Sequence, residues 1–355
     1  MAMKGIVTVK TWQLSRLEHL AFTEFMEMAE DAIFDPDYPA NGSFHQRRRG
    51  GHTYWYYQRH TGMSPSGKQI VESRYVGKVG DPGIEERIAD FTGIKEQRRI
   101  RRRLIAMLRY AGLPSPRPED QQIVTAIAHT GIFKAGGVLI GPMAVQSYCG
   151  LLGVRMASAV ASDDDDDEHA IIMPPDSQTR DITTTLSDNG RLPIIRLAPT
   201  TDDDLGLKHY LVDQPVRSAL ICDDAISVRV PDPARYAVYK IVLSQLRAQP
   251  SAASRTAQDR VQIEELISAN TAAGRTFELA EAFGLMWTGY PKVRPALAKG
   301  ALALADKPLS LLANTCHRFG EQPFAESADP STVLRPVIAD GAASKTKPKG
   351  GGPGE

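Results

Sequence analysis

The sequence predicts an α+β fold, a mixed sheet with helices followed by a helical C-terminal subdomain, and three observations carry that expectation. The apolar run GVLIG at 137–141 has strand character and ends in a glycine turn at Gly141. Residues 226–240, ISVRVPDPARYAVYK, alternate apolar and polar positions and then shift to helical spacing after Pro231 and Pro233, so a strand feeds a helix. Beyond residue 232 the segments PARYAVYKIVLSQLR, TAQDRVQIEELISAN and TFELAEAFGLMW keep helical spacing between Pro, Ser and Gly punctuation.

Four regions follow in chain order. Residues 1–115 form a basic N-terminal region with a helix, a β-hairpin and an arginine-rich helix. Within it, GGHTYWYYQRHTGMSPSGKQIVESRYVGK reads as two β segments around a Ser-Pro-Ser-Gly turn. The stretch KEQRRIRRRLIAMLRYAG then places Ile100, Leu104, Ile105 and Leu108 at helical spacing with arginines outside, and Gly112 stops it. A core domain spans 116–230, opening with an apolar helix over 118–134 that leads into the turn at Gly136 and Gly137. The helical subdomain occupies 231–323. From 324 the chain drifts into ADGAASKTKPKGGGPGE, too poor in apolar residues to bury a core, and a disordered tail is expected over 324–355.

The 355 residues, 42% of them hydrophobic, suffice for one large or two ordinary domains. Formal net charge is zero, yet basic residues concentrate at 46–109, interleaved with Tyr54, Trp55, Tyr56 and Tyr57. That mixture suits phosphate neutralisation and base stacking, so RNA or another nucleic acid is an expected partner; pairing of those arginines with acidic regions of the same chain is the competing expectation. Cys149, Cys222 and Cys316 show no CxxC spacing and read as reduced thiols, neither disulfides nor a zinc site. No signal-peptide core and no apolar stretch of about eighteen residues occurs, so a cytoplasmic protein without membrane partners is expected. No Gly-x-Ser-x-Gly elbow or His-x-x-x-His pair marks a hydrolase.

The chemistry-bearing stretch is 137–172, GVLIGPMAVQSYCGLLGVRMASAVASDDDDDEHAII, in which the glycine turn is followed by clustered carboxylates. Mg²⁺, or Mn²⁺ in its place, takes hard oxygen ligands and uses one or two carboxylates together with substrate phosphates. Asp164 and Asp166 stand at i and i+2, which puts them on one face of a strand. Three such registers exist between Asp163 and Asp167. A like-charged run is also a common form of solvated loop.

On GVLIG with the downstream Asp pair, and on VPDPARYAVYK, the chain resembles the nucleotidyltransferase-fold proteins of the DNA polymerase β superfamily, in particular a bacterial branch with long N-terminal extensions. The second segment is the more specific: the family reads much like VPDPARFALHK there, and Pro231, Pro233, Ala234, Arg235 and Lys240 match one by one. The resemblance implies a polymerase β-like core, an NTP substrate, metal held by Asp164 and Asp166, and a triphosphate positioned by Gly141 and Lys240, with Arg235 nearby. It also implies a third carboxylate on a neighbouring strand, for which Asp213 is the candidate and Asp202, Asp203 and Asp204 are alternatives. Relatives often sit in defence or toxin-antitoxin modules.

Three departures stand out. Pro142 replaces the family's small hydroxyl residue after the glycine and removes a backbone donor. Asp165 and Asp167 occupy positions that relatives fill with apolar residues. A K-D-x-x-Q-A pattern keeps Asp259 and Gln262 but carries Gln258 at the lysine position. Two functions are therefore expected in competition: transfer of an NMP from an NTP to an RNA, protein or small-molecule hydroxyl, or a catalytically degenerate scaffold that binds nucleic acid or a protein.

Overall fold

A computed structural model describes residues 11–30, 42–64, 67–160, 169–173, 195–199, 205–247 and 253–345. Its architecture is α+β, as the sequence predicts. A mixed three-stranded sheet lies at the centre, in the order β5 (Val138–Ile140), β7 (His169–Met173), β8 (Ile195–Pro199). Strand β7 runs antiparallel to β5 and parallel to β8. The hairpin β9 (Val216–Ile221) and β10 (Ala225–Val230) packs beside it, β10 against β5. Val138, Leu139, Ile171, Ile172, Ala219, Leu220, Ile226 and Val228 are all buried, so both the apolar run before Gly141 and the apolar positions of the alternating β10 face the core.

One continuous hydrophobic core joins these strands to α1 (Arg16–Glu30), to the end of α2 (Pro82–Tyr110), to α3 (Pro118–His129) and α4 (Pro142–Leu151), and to the C-terminal helices. Helix α1 contributes Phe22 and Phe25. The short strand β1 (Thr11–Gln13) pairs antiparallel with β6 (Val154–Met156), clasping the N-terminal region to the core. Between β8 and β9 the chain forms the short helix α5 (Leu207–Val212). The helical region comprises α6 (Pro233–Leu246), α7 (Ala253–Ala272), α8 (Thr276–Gly289), α9 (Arg294–Leu302) and α10 (Asp306–Arg318).

The N-terminal sheet is larger than the expected hairpin. Strands β3 (His52–Met63) and β4 (Gln69–Lys78) are joined by β2 (Ser43–Arg49), which pairs with β3 across a Gly50-Gly51 turn in which both glycines have positive φ. The QRRR segment is thus a strand edge: arginine stems lie well on an exposed strand, and the two glycines supply the left-handed turn. Helix α2 starts well before the expected arginine-rich segment, at the Asp81 cap, whose carboxylate accepts from Gly83 N at 3.0 Å and Ile84 N at 3.3 Å. It ends where Gly112 takes φ 78°.

The segment expected as a structureless tail carries a helix, α11 (Pro330–Lys345). Phe324 and Leu334 are fully buried against the core, so a few apolar anchors override a composition that argues for disorder. The acidic run, Asp164 and Asp166 included, lies outside the described residues, as do Asp202, Asp203 and Asp204. Among the described helices, none is long and apolar enough to cross a membrane.

Helices α6 and α9 approach closely at Gly300, where an added Cβ would sit 2.4 Å from the Ile241 carbonyl oxygen. Gly300→Ala is expected to cost about 1–3 kcal/mol by forcing the two backbones apart, checked by chemical denaturation.

Candidate nucleotide site

The turn after β5 needs glycine. Gly141 adopts φ 93°, ψ −162°, a region that side-chain-bearing residues rarely enter, and caps the N-terminus of α4. Ile140 pairs with Ala170, so the chain leaves β5 at Gly141 beside the start of β7 at His169. Pro142 fits the first helical position, where its missing N–H costs the helix nothing, but it leaves this helix end one donor short.

A cleft of about 40 Å³ brings this turn against α6 and α7, lined by Gly141 and Pro142 from one side and by Tyr239, Lys240, Arg247 and Gln262 from the other. The volume is little more than that of one water, so the cleft is the wall of a site rather than an enclosure for a nucleotide. Of its two cations, Arg247 is exposed and Lys240 is buried.

Lys240 is committed to the fold. Its Nζ donates to Asp259 Oδ1 at 2.7 Å, with both side chains less than a tenth exposed. The two family-like segments, one around PDPAR and one around Asp259 and Gln262, therefore meet through a buried ion pair that joins α6 to α7. Asp232, which the sequence reading passed over, anchors the same motif. Its Oδ1 accepts from Ala234 N at 2.9 Å at the start of α6, and its Oδ2 holds Arg275. An Asp immediately before a Pro at a helix start is the cap signal that marks it. Tyr148 fixes the preceding turn, its buried hydroxyl donating to the Pro231 carbonyl at 2.8 Å.

Arg235 and Asp213 meet each other. The Arg235 guanidinium donates to Asp213 Oδ2 at 2.8 Å and to the Tyr210 carbonyl at 3.2 Å, and lies over the Tyr210 ring. Asp213 closes α5 rather than riding a strand, because LKHYLV folds as a helix and the turn at Gln214, φ 59°, precedes β9. The strands that flank β7 are β5, VLI, and β8, IRLAP, which pairs Ile195 with His169, and neither contains an Asp or Glu. Among the described residues no group of three or more His, Cys, Asp or Glu could hold a metal.

The stem leading to the acidic run is held firmly. Glu265 of α7, almost fully buried, accepts from Ala157 N at 3.1 Å and Ser158 N at 2.9 Å in the 3-10 turn Ala157–Ala159 that follows β6. The described chain before the run thus ends at a turn tied to α7, and after it resumes at His169, beside Gly141. The three cysteines are free and buried, and burial pushes each thiol up to about 12, as expected for reduced, unreactive side chains.

The described residues thus present a mixed sheet with a glycine turn at a strand end and, against that turn, the helix that the PDPAR motif begins, an arrangement consistent with a nucleotidyltransferase-like core. Residues 188–288 match the family model described as nucleotidyltransferase, so the chain carries a nucleotidyltransferase-family domain. The match covers less than a third of the chain, from β8 to α8, and begins after both Gly141 and the acidic run. No curated protein and no solved structure matches the chain.

Proposed function

We propose that the protein is a nucleotidyltransferase that moves an NMP from an NTP to an acceptor hydroxyl, using carboxylates of the acidic run. The observation that carries this reading is the convergence of the Gly141 turn with the family-matched helices α6 and α7 in one cleft, at the sheet end where the acidic run rejoins β7. The acceptor oxygen bonds to the α-phosphorus as the bond to the β-phosphate breaks; pyrophosphate leaves and the hydroxyl proton passes to solvent. Asp164 and Asp166, hard oxygen donors of the kind Mg²⁺ takes, would hold the metal, whose charge offsets that of the triphosphate. The backbone at Gly141 and the first N–H groups of α4 face the phosphates, with Arg247 as the exposed cation of the cleft. Lys240 acts through Asp259 and the helix pair rather than on the nucleotide, and Arg235 fixes α5 to α6.

The second reading, a degenerate scaffold, is favoured by the missing carboxylate on β8, the engagement of Asp213 by Arg235, and Pro142. The purified protein incubated with each labelled NTP, Mg²⁺ or Mn²⁺ and total RNA separates the two. The catalytic reading expects metal-dependent label transfer and metal-dependent NTP binding, with transfer falling by at least about two orders of magnitude in Asp164→Ala/Asp166→Ala. Neither transfer nor metal-dependent NTP binding is the result of the scaffold.

A further inference from the structure

Among the described residues, the N-terminal sheet packs one face against α2 and leaves the tyrosines of the other face partly exposed. Toward α2, Phe44, Tyr57 and Phe91 pack edge to face with ring centroids 4.9–6.0 Å apart, and the Trp55 indole N–H donates to Glu85 at 2.9 Å. Side chains alternate along a strand, so the residues between these point the other way. The registers Arg47↔Tyr54, Tyr56↔Tyr75 and Tyr54↔Lys78 then set three tyrosines side by side on the second face, bordered by Arg47, Arg49 and Lys78. The β-bulge between Trp55 and Tyr56 is what turns Tyr75 to this side.

The geometry of that face is specific. Tyr75 lies 5.9 Å from Tyr54 and 5.7 Å from Tyr56 between ring centroids, and is 55% exposed. The Arg47 guanidinium sits 5.1 Å from the Tyr56 centroid, while Arg49 and Lys78 are exposed. Strand residues pointing to this side include no Asp or Glu: Glu72, the acidic residue of β4, is opposite Arg59 on the α2 side and bonded to it at 2.7 Å.

We propose that this face binds a single-stranded polynucleotide, with bases stacking on Tyr54, Tyr56 and Tyr75 and phosphates meeting Arg47, Arg49 and Lys78. Adjacent aromatic rings bordered by cations match the alternation of base and phosphate along an unpaired strand, whereas a duplex keeps its base faces covered and an acidic peptide has nothing to stack. The proposal is independent of catalysis: it requires neither an NTP nor the acidic run.

Fluorescence anisotropy of the full chain, without NTP or metal, tests it with labelled oligonucleotides of about 12 nucleotides as single-stranded RNA, single-stranded DNA and duplex, and with heparin as a competing polyanion. Saturable binding to a single strand, at least about tenfold tighter than to duplex, is expected, and the ratio of RNA to DNA affinity identifies the natural strand. Tyr75→Ala should weaken binding by about tenfold while Tyr75→Phe retains it, because stacking needs the ring and not the hydroxyl. Arg47→Ala should lower the slope of log affinity against log salt by roughly 0.7, the loss of one phosphate contact. Absence of saturable binding, equal binding to duplex, full displacement by heparin at equal charge, or indifference to Tyr75→Ala in a folded variant would each overturn the proposal.

Discussion

Asp259→Ala is expected to lower the free energy of unfolding by about 3–5 kcal/mol, because it leaves the Lys240 ammonium buried without its partner. The effect belongs to the uncompensated charge rather than to the attraction of the pair, since both groups are desolvated and the interaction mainly offsets that cost. The double replacement Lys240→Met/Asp259→Leu should therefore recover most of the loss, and urea denaturation of the two single variants and the double gives the coupling directly. If the double variant is as unstable as the singles, the pair is doing something other than neutralising itself. A folded double variant also separates roles: NTP binding that survives it assigns Lys240 to the scaffold, and NTP binding that disappears restores the ammonium to the triphosphate.

The sequence reading and the structure agree where periodicity is strong. The strand ending at Gly141, the strand-to-helix switch at Pro231 and Pro233 and the helices beyond it were legible because apolar spacing and turn residues point the same way there. Strand β2 was missed because Gln46-Arg47-Arg48-Arg49 offers no apolar alternation; it exists because β3 presents an edge to pair with. Asp213, expected on a strand, closes helix α5 instead, because six residues carry too little pattern to declare a period. For the candidate site, the chemistry of single residues was legible and their partners were not. Nothing in the spacing of Lys240 and Asp259, or of Arg235 and Asp213, says that each pair will close on itself, since those contacts depend on how separate helices pack.

The arginine-rich helix makes the same point with a second large effect. Asp224, in the turn between β9 and β10, accepts from Arg98 at 3.2 Å and from Arg101 at 2.8 Å, and Arg101 is only 3% exposed. Asp224 Oδ1 also accepts from Ala225 N at 2.9 Å, so one carboxylate both shapes the hairpin turn and ties it to α2. Asp224→Ala should therefore cost about 3 kcal/mol, the lower part of the range for a broken buried pair, because Arg98 can reach water while Arg101 cannot. Arg102→Ala, at an exposed position of the same helix, should change stability by no more than about 0.5 kcal/mol. Denaturation midpoints of the two variants compare a latch with a solvated face within one helix. A helix that reads from sequence as a uniform basic surface divides, by which residues the β9–β10 turn reaches, into arginines that hold the fold together and arginines that remain at the surface. The same division means that Asp224→Ala should leave the polynucleotide affinity of the N-terminal sheet unchanged, since Arg47, Arg49 and Lys78 lie on other strands. A rise of that affinity in folded Asp224→Ala, which releases Arg98 and Arg101 from their carboxylate, would place the basic helix, rather than the tyrosine face, at the centre of binding.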